Sequence, residues 1–227
     1  MNEREISKLI KKHLSEITLQ YNFKHHRRFL IFKTKEPIHS GILFEGSGYS
    51  KGGFICTWYI QPLFVPLQYF TYSVGRRFSG WYEINSLNEE EIFSKIQKEI
   101  QSIAFPLLRR LSNIESLIRY IIENNLVNQN RNNETLAYCG AWLGNTQLAA
   151  KYLAPIVNLE WKGEYEWKGK IHTMPPSEGF IKMKKDATAL LNSLSNYDAT
   201  RKLLESNIRY TLSHLKLPKG LWPEYEK

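Results

Sequence analysis

Cysteine is nearly absent. The chain holds only Cys56 and Cys139, which excludes a disulfide scaffold and an all-cysteine zinc site. Aspartate is as rare, with Asp186 and Asp198 alone, both in the C-terminal helices, and a paired-carboxylate active site finds no support. No apolar run reaches the roughly 18 residues that a spanning helix needs, and no membrane segment is expected. The first residues, Met-Asn-Glu-Arg-Glu-Ile, are acidic and lack an apolar stretch, unlike a secretory signal. A cytoplasmic location is therefore expected. No Gly-x-Ser-x-Gly elbow occurs. The glycine-rich segment 46–53 lacks a Gly-Lys-Ser/Thr ending and precedes a strand, so it is a hairpin connection and not a phosphate loop. His13, His25, His26, His39, His172 and His214 show no metal-ligand spacing with a carboxylate or cysteine. Cys56 and Cys139 sit in apolar patterns and read as small buried hydrophobes. No metal, nucleotide, flavin or other cofactor is expected.

What the chain does have is positive charge and aromatic residues. Its 227 residues carry a formal net charge of +9, and aromatics make up 13%. Sixteen basic and ten acidic residues precede residue 112; fifteen and twelve follow it. The aromatic content excludes a disordered chain.

Ile6, Leu9, Ile10, Leu14 and Ile17 recur at helical spacing and predict a helix over 3–20. Asn22 follows it, where a left-handed residue is tolerated. The period then changes. Strands are predicted at 28–33, 38–44, 54–60 and 69–78, with 81–84 continuing the last or forming a fifth. Alternation places Phe54, Cys56, Trp58 and Ile60 on one face. Short connections favour an antiparallel meander. The dense aromatics from Trp58 to Tyr72 are expected in the core under the first helix. Any left on the outer sheet face mark an interface, unless the C-terminal helices cover them.

Everything after residue 87 reads as helical. Asn88 before Glu89, Glu90 and Glu91 is expected to cap a helix with the buried stripe Ile92, Ile96, Ile100 and Ile103, which Pro106 should kink or end. Ser112-Asn113-Ile114-Glu115 opens a helix to about Asn124, and 128–133 is expected to be a linker or long turn. Segments 134–143 and 146–157 form a helical hairpin, with Gly144 at its turn, Asn145 as cap and Gly140 among its small residues. Residues 160–176 break the pattern with two aromatic-basic turns, Trp161-Lys162-Gly163 and Trp167-Lys168-Gly169. Helices over 177–194 and 197–215 end at Lys216-Leu217-Pro218-Lys219-Gly220. The expected fold class is α+β: a four- or five-stranded antiparallel sheet packed with helices, followed by an all-helical C-terminal region. The expected division is a helix–sheet–helix domain over 1–111 and a helical region over 112–227.

Phe23 with Arg28-Phe29, Gly52-Gly53-Phe54, and Arg76-Arg77 with Trp81-Tyr82 resemble a loosely defined group of bacterial domains of unknown function. In that group a helix and an antiparallel sheet are followed by a helical extension. The resemblance implies a toxin-immunity or accessory role and brings no functional residues with it.

Two sets of residues are candidate binding surfaces. Lys24, His25, His26, Arg27 and Arg28, with Lys33 and Lys35, form an acid-free basic stretch. It suits phosphate binding, with Tyr21 or Phe29 as a stacking face. It equally suits a solvated strand that discourages edge pairing. Arg76 and Arg77, near Trp81, should point to opposite faces, one pairing internally with Glu83 or Glu45. Tyr49 and Lys51 in the glycine-rich loop are within reach of a partner. The preferred reading is a non-enzymatic module that binds an acidic protein, since partners complement each other in charge. The alternative is a nucleic-acid-associated protein, which requires both basic clusters to line one surface. The third is an enzyme of unfamiliar type, in which Tyr49, Tyr59, Arg76, Arg77 and His39 would converge across the sheet.

Overall fold

The computed structural model describes residues 1–226 except 69, 86, 127–129, 162, 168 and 169, and only the backbone of 79, 130, 164–167 and 172. The first helix, α1 (Glu3–His13), opens with a capping box. The Asn2 side chain accepts from the Glu5 amide at 3.0 Å, and Glu5 accepts from the Asn2 amide at 2.8 Å. Lys11, Lys12 and His13 occupy its negative end. The chain breaks at Leu14 and resumes as α2 (Ser15–Gln20), so the predicted single helix is two. Asn22 then takes φ 53°, the expected left-handed position.

Five strands follow in the spatial order of the sequence, all antiparallel: β1 (Phe23–His26), β2 (Phe29–Phe32), β3 (Ile38–Gly46), β4 (Gly53–Pro62) and β5 (Val74–Glu83). β1 was hidden in the basic run. It turns into β2 through Arg27-Arg28, and Arg27 takes φ 53°, as a primed two-residue hairpin turn requires. β5 begins at Val74, later than expected, and runs on through 81–83 with no separate fifth element there, leaving Ile84 just beyond its end. Tyr69 lies outside the described residues. A bulge sets Ile55 opposite Trp81 but Thr57 opposite Arg77.

The sheet is buried on both faces. Ile42, Phe44, Phe54, Cys56, Trp58 and Ile60 join the core with Ile6 and Ile10 of α1. Phe54 stacks on Phe93 of α3 (Glu89–Glu99), with ring centroids 6.1 Å apart. On the opposite face His39, Tyr59 and Gln61 are 0% exposed. Their cover comes from the 63–73 connection and from the C-terminus. Phe70 meets Tyr59 edge-on at 4.8 Å, and Trp222 lies 6.1 Å from His39. The aromatic stretch is therefore shared between two faces, not stored under α1 alone.

α3 runs through a π-helical turn (Ile100–Ala104) into α4 (Phe105–Arg110). The wider turn precedes Pro106 and shifts the phase of the stripe. Ile100, Ala104 and Leu108 are buried, whereas Ile103 is 46% exposed, contrary to the sequence pattern. Pro106 sits in the first turn of α4, directly after the π-helical turn, so the helix runs on past it with a change of phase and does not end there. Asn88 does not cap α3. Its side chain accepts from the Asn85 amide and donates to the Glu83 carbonyl, tying the strand exit to the helix start.

The helices α5 (Ile114–Glu123), α6 (Asn130–Trp142), α7 (Thr146–Val157), α8 (Glu178–Ser193) and α9 (Tyr197–Leu215) follow. Asn113, Asn145, Ser177 and Asn196 cap four of them through their side chains. Residues 130–133 belong to α6 and not to a linker. Gly144 turns the α6–α7 hairpin at φ 72°. A Cβ on Gly140 would stand 2.9 Å from the Ala149 amide nitrogen, so glycine sets how closely these helices approach. Where the sequence shows a break, β6 (Glu164–Trp167) and β7 (Lys170–Thr173) form a two-stranded hairpin.

The buried apolar cluster continues from Ile6 to Trp222. Bonds cross residue 111: the Ile114 amide donates to Glu36, Thr211 donates to the Val65 carbonyl, and Trp222 Nε1 donates to the Glu36 carbonyl at 3.3 Å. Among the described residues, no helix is long and apolar enough to cross a membrane.

Candidate binding surface

The β1 hairpin and the C-terminus build one surface. α9 ends when Lys216 takes φ 50°, and the chain turns back along β1. The Lys216 backbone faces the His26 imidazole, and Lys24 Nζ donates to the Lys219 carbonyl at 3.4 Å. His25 Nε2 lies 2.8 Å from the Arg27 carbonyl and fastens the hairpin turn. Burial lowers the pKa of both imidazoles, and for His26 the neighbouring Arg27 charge adds to it. The positive charge here at neutral pH therefore comes from Lys24, Arg27 and Arg28, joined by Lys216 and Lys219. Arg27 reaches Glu3 at 3.8 Å, and Arg28 lies 5.6 Å from the Phe29 ring.

Beside this basic rim opens a groove of about 410 Å3, walled by Leu212, Leu217, Pro218 and Tyr225, with Arg209 and Lys219 at its borders. Glu226 also lines it, but its two oxygens each accept from the Gly220 amide at 2.9 Å. Sequence reasoning saw 216–220 only as a helix terminator. The signal available was Lys216 and Lys219 flanking Leu217-Pro218, whose meaning depends on β1 lying next to it.

The other candidates lie elsewhere. β1 and β5 are opposite edges of the sheet, four strand spacings or about 19 Å apart. Arg76 faces Trp58 across the ladder and Arg77 faces Thr57, so the two point to opposite faces as expected. Both are exposed, and among the described residues neither pairs with Glu83 or Glu45. Glu83 accepts instead from Ser50 at 2.8 Å. Trp81, 52% exposed, leans on Gly53, placing it beside the loop that carries Tyr49 and Lys51. The ten candidate residues thus lie towards opposite edges of the sheet, and Arg76 and Arg77 are divided between its two faces.

The enzyme-like set does not converge. His39 and Tyr59 meet, with the hydroxyl 3.1 Å from Nδ1, but Arg76, Arg77 and Tyr49 remain on the β5 side and the loop. Burial drives the His39 pKa down to about 3 and the Tyr59 phenol up. Cys56 and Cys139 are fully buried, and burial raises both thiols. One cluster escaped the sequence reading. His13, Glu89 and Glu90 bring three ligand-type atoms within 4.8 Å of one another, from positions 76 residues apart. Lys12 Nζ already lies 2.7 Å from Glu89, and the two His13 nitrogens face different carboxylates. The Lys12–Glu89 ion pair clasps α1 to α3, and the His13 contacts add to it.

Against known proteins, the chain matches no family model, no curated protein and no solved structure.

Proposed function

We propose that the chain is a non-enzymatic binding module that takes an acidic protein segment into the groove beside β1. The observation that carries this reading is the seating of Lys216–Lys219 against Lys24, which sets a basic rim around aliphatic walls. Such a site fits an apolar side chain flanked by carboxylates. The rim charges raise the encounter rate, and the apolar anchor supplies residence time. A toxin-immunity role is the special case in which the segment belongs to a toxin; that rests on the resemblance of the N-terminal half. A nucleic-acid partner is less well served. Tyr21 packs on Phe105 at 4.1 Å, and Phe29 lies among His39, Tyr59 and Phe70, so neither offers a free stacking face.

Selection of peptides from a random library on the immobilised protein tests this. Enriched peptides should be acidic with one aliphatic or aromatic residue. The pair Lys24→Glu and Lys219→Glu should weaken them at least about tenfold, a loss of about 1.4 kcal/mol. Enrichment of neutral or basic peptides, or affinity that survives the charge reversal, overturns the proposal. Salt-sensitive binding of a single-stranded oligonucleotide, without peptide binding, transfers the surface to nucleic acid.

A further inference from the structure

A second concave site lies away from the groove, between the 63–73 connection, the start of α6 and α8. The connection is held to α6 by Thr135 Oγ1, which donates to Ser73 Oγ at 2.7 Å. The cavity there measures about 80 Å3 and is lined by Leu67, Thr71, Arg131, Glu134, Lys182 and Asp186, among others.

Its charges are arranged in pairs that leave atoms over. Glu134 is 3% exposed, and its Oε2 accepts from Arg131 Nη1 at 2.8 Å. Among the described residues its Oε1 accepts nothing. Asp186 likewise accepts from Lys182 through Oδ2 alone. Lys182 is steadied over the Tyr210 ring, 4.7 Å from the centroid. Thr71 Oγ1, at the wall, is buried without a hydrogen-bond partner. So is the hydroxyl of Tyr138, one helical turn after Glu134 and 0% exposed. Burial raises the Tyr138 phenol, and the charges of Glu134 and Asp186 raise it further, so the hydroxyl stays protonated beside both carboxylates. Unpartnered buried polar atoms are uncommon in folded proteins and call for an explanation at each place they occur.

We propose that this cavity binds a small zwitterion, an amino acid or a similarly compact molecule with one ammonium and one carboxylate. The ammonium donates to Glu134 Oε1, and the carboxylate accepts from the remaining guanidinium N–H groups of Arg131 and from Lys182. Arg131 and Lys182 face Glu134 and Asp186 across the walls, and although burial raises the Glu134 carboxyl, the Arg131 charge and hydrogen bond oppose that rise, so a lone anion or lone cation meets repulsion as well as attraction. A molecule with both charges a few bonds apart satisfies each side. The volume is about half that of a cavity that accommodates benzene, roughly 150 Å3, which limits the ligand to a few non-hydrogen atoms inside the walls.

Thermal unfolding of the full chain with each of the common amino acids, at millimolar concentration, tests the assignment. Methylammonium and acetate serve as the separated halves. At least one small amino acid should raise Tm by about 5–10 °C at a hundredfold excess over its Kd, while neither half does. Lys182→Met, at a partly exposed position, should fold and should lose the shift. Glu134→Gln should lose it too; if that variant fails to fold, Lys182→Met decides alone. No shift with any amino acid, an equal shift with methylammonium or acetate, or an unchanged shift in Lys182→Met overturns the proposal.

Discussion

The acid sensitivity of the fold should run through His39. Its imidazole projects from β3 and is fully buried among Tyr59, Phe70 and Trp222, and burial holds its pKa at about 3 against an ordinary 6.5. The unfolded chain therefore takes up a proton at a pH where the folded chain cannot. The stability that depends on neutral His39 is complete above pH 6.5 and is lost as pH falls from 6.5 towards 3. That interval amounts to about 5 kcal/mol at 1.36 kcal/mol per pH unit, of which about 2 kcal/mol is gone by pH 5. Replacing His39 with Phe alone would strand the Tyr59 hydroxyl, so the informative variant is His39→Phe with Tyr59→Phe. Urea unfolding near pH 7.5 and pH 5 measures the effect. Burial lowers the His25 and His26 pKa values as well, and raises those of Glu36 and Glu134. Those groups are common to both proteins and cancel in the comparison. The unmodified chain should lose about 2 kcal/mol more than the variant over this range. Equal losses would refute the argument that His39 is kept neutral by its burial.

Two further outcomes follow from packing. Trp222→Ala should cost about 3–5 kcal/mol and lower Tm by about 6–20 °C, because a fully buried indole bonded to the Glu36 carbonyl is removed from the outer sheet face. A smaller drop would show that the C-terminus seals that face only loosely. Gly140→Ala should lower Tm although alanine is the better helix former, because its Cβ presses on the Ala149 backbone. A rise in Tm would show that α6 and α7 can separate freely.

Much of this architecture was legible because the local signals agree with the tertiary ones. β3 and β4 are short, near-continuous runs of branched and aromatic residues, as strands buried on both faces require, and α7, α8 and α9 start at Asn145, Ser177 and Asn196, whose side chains cap them. β1 was not legible, since Lys24-His25-His26 carries no apolar alternation and its pairing comes from β2. The shift at Ile103 was hidden because a π-helical turn leaves no period of its own. Asn88 shows the limit of capping signals: Glu83 and Asn85 outcompete the helix amides for its side chain. The binding surface was half visible. The basic stretch stood out, but the groove needs residues 209–219 beside residue 24, a contact across about 190 positions that no local pattern encodes. The polar cavity was hidden for the same reason, since Thr71, Glu134 and Asp186 come from three distant segments.

Hydrogen–deuterium exchange of the full chain, with and without a selected acidic peptide, tests the binding surface most directly. Protection should appear at residues 23–28 and 209–219, and it should fade as salt rises. Protection confined to 47–52 and 75–83 would move recognition to the opposite edge of the sheet and contradict the account.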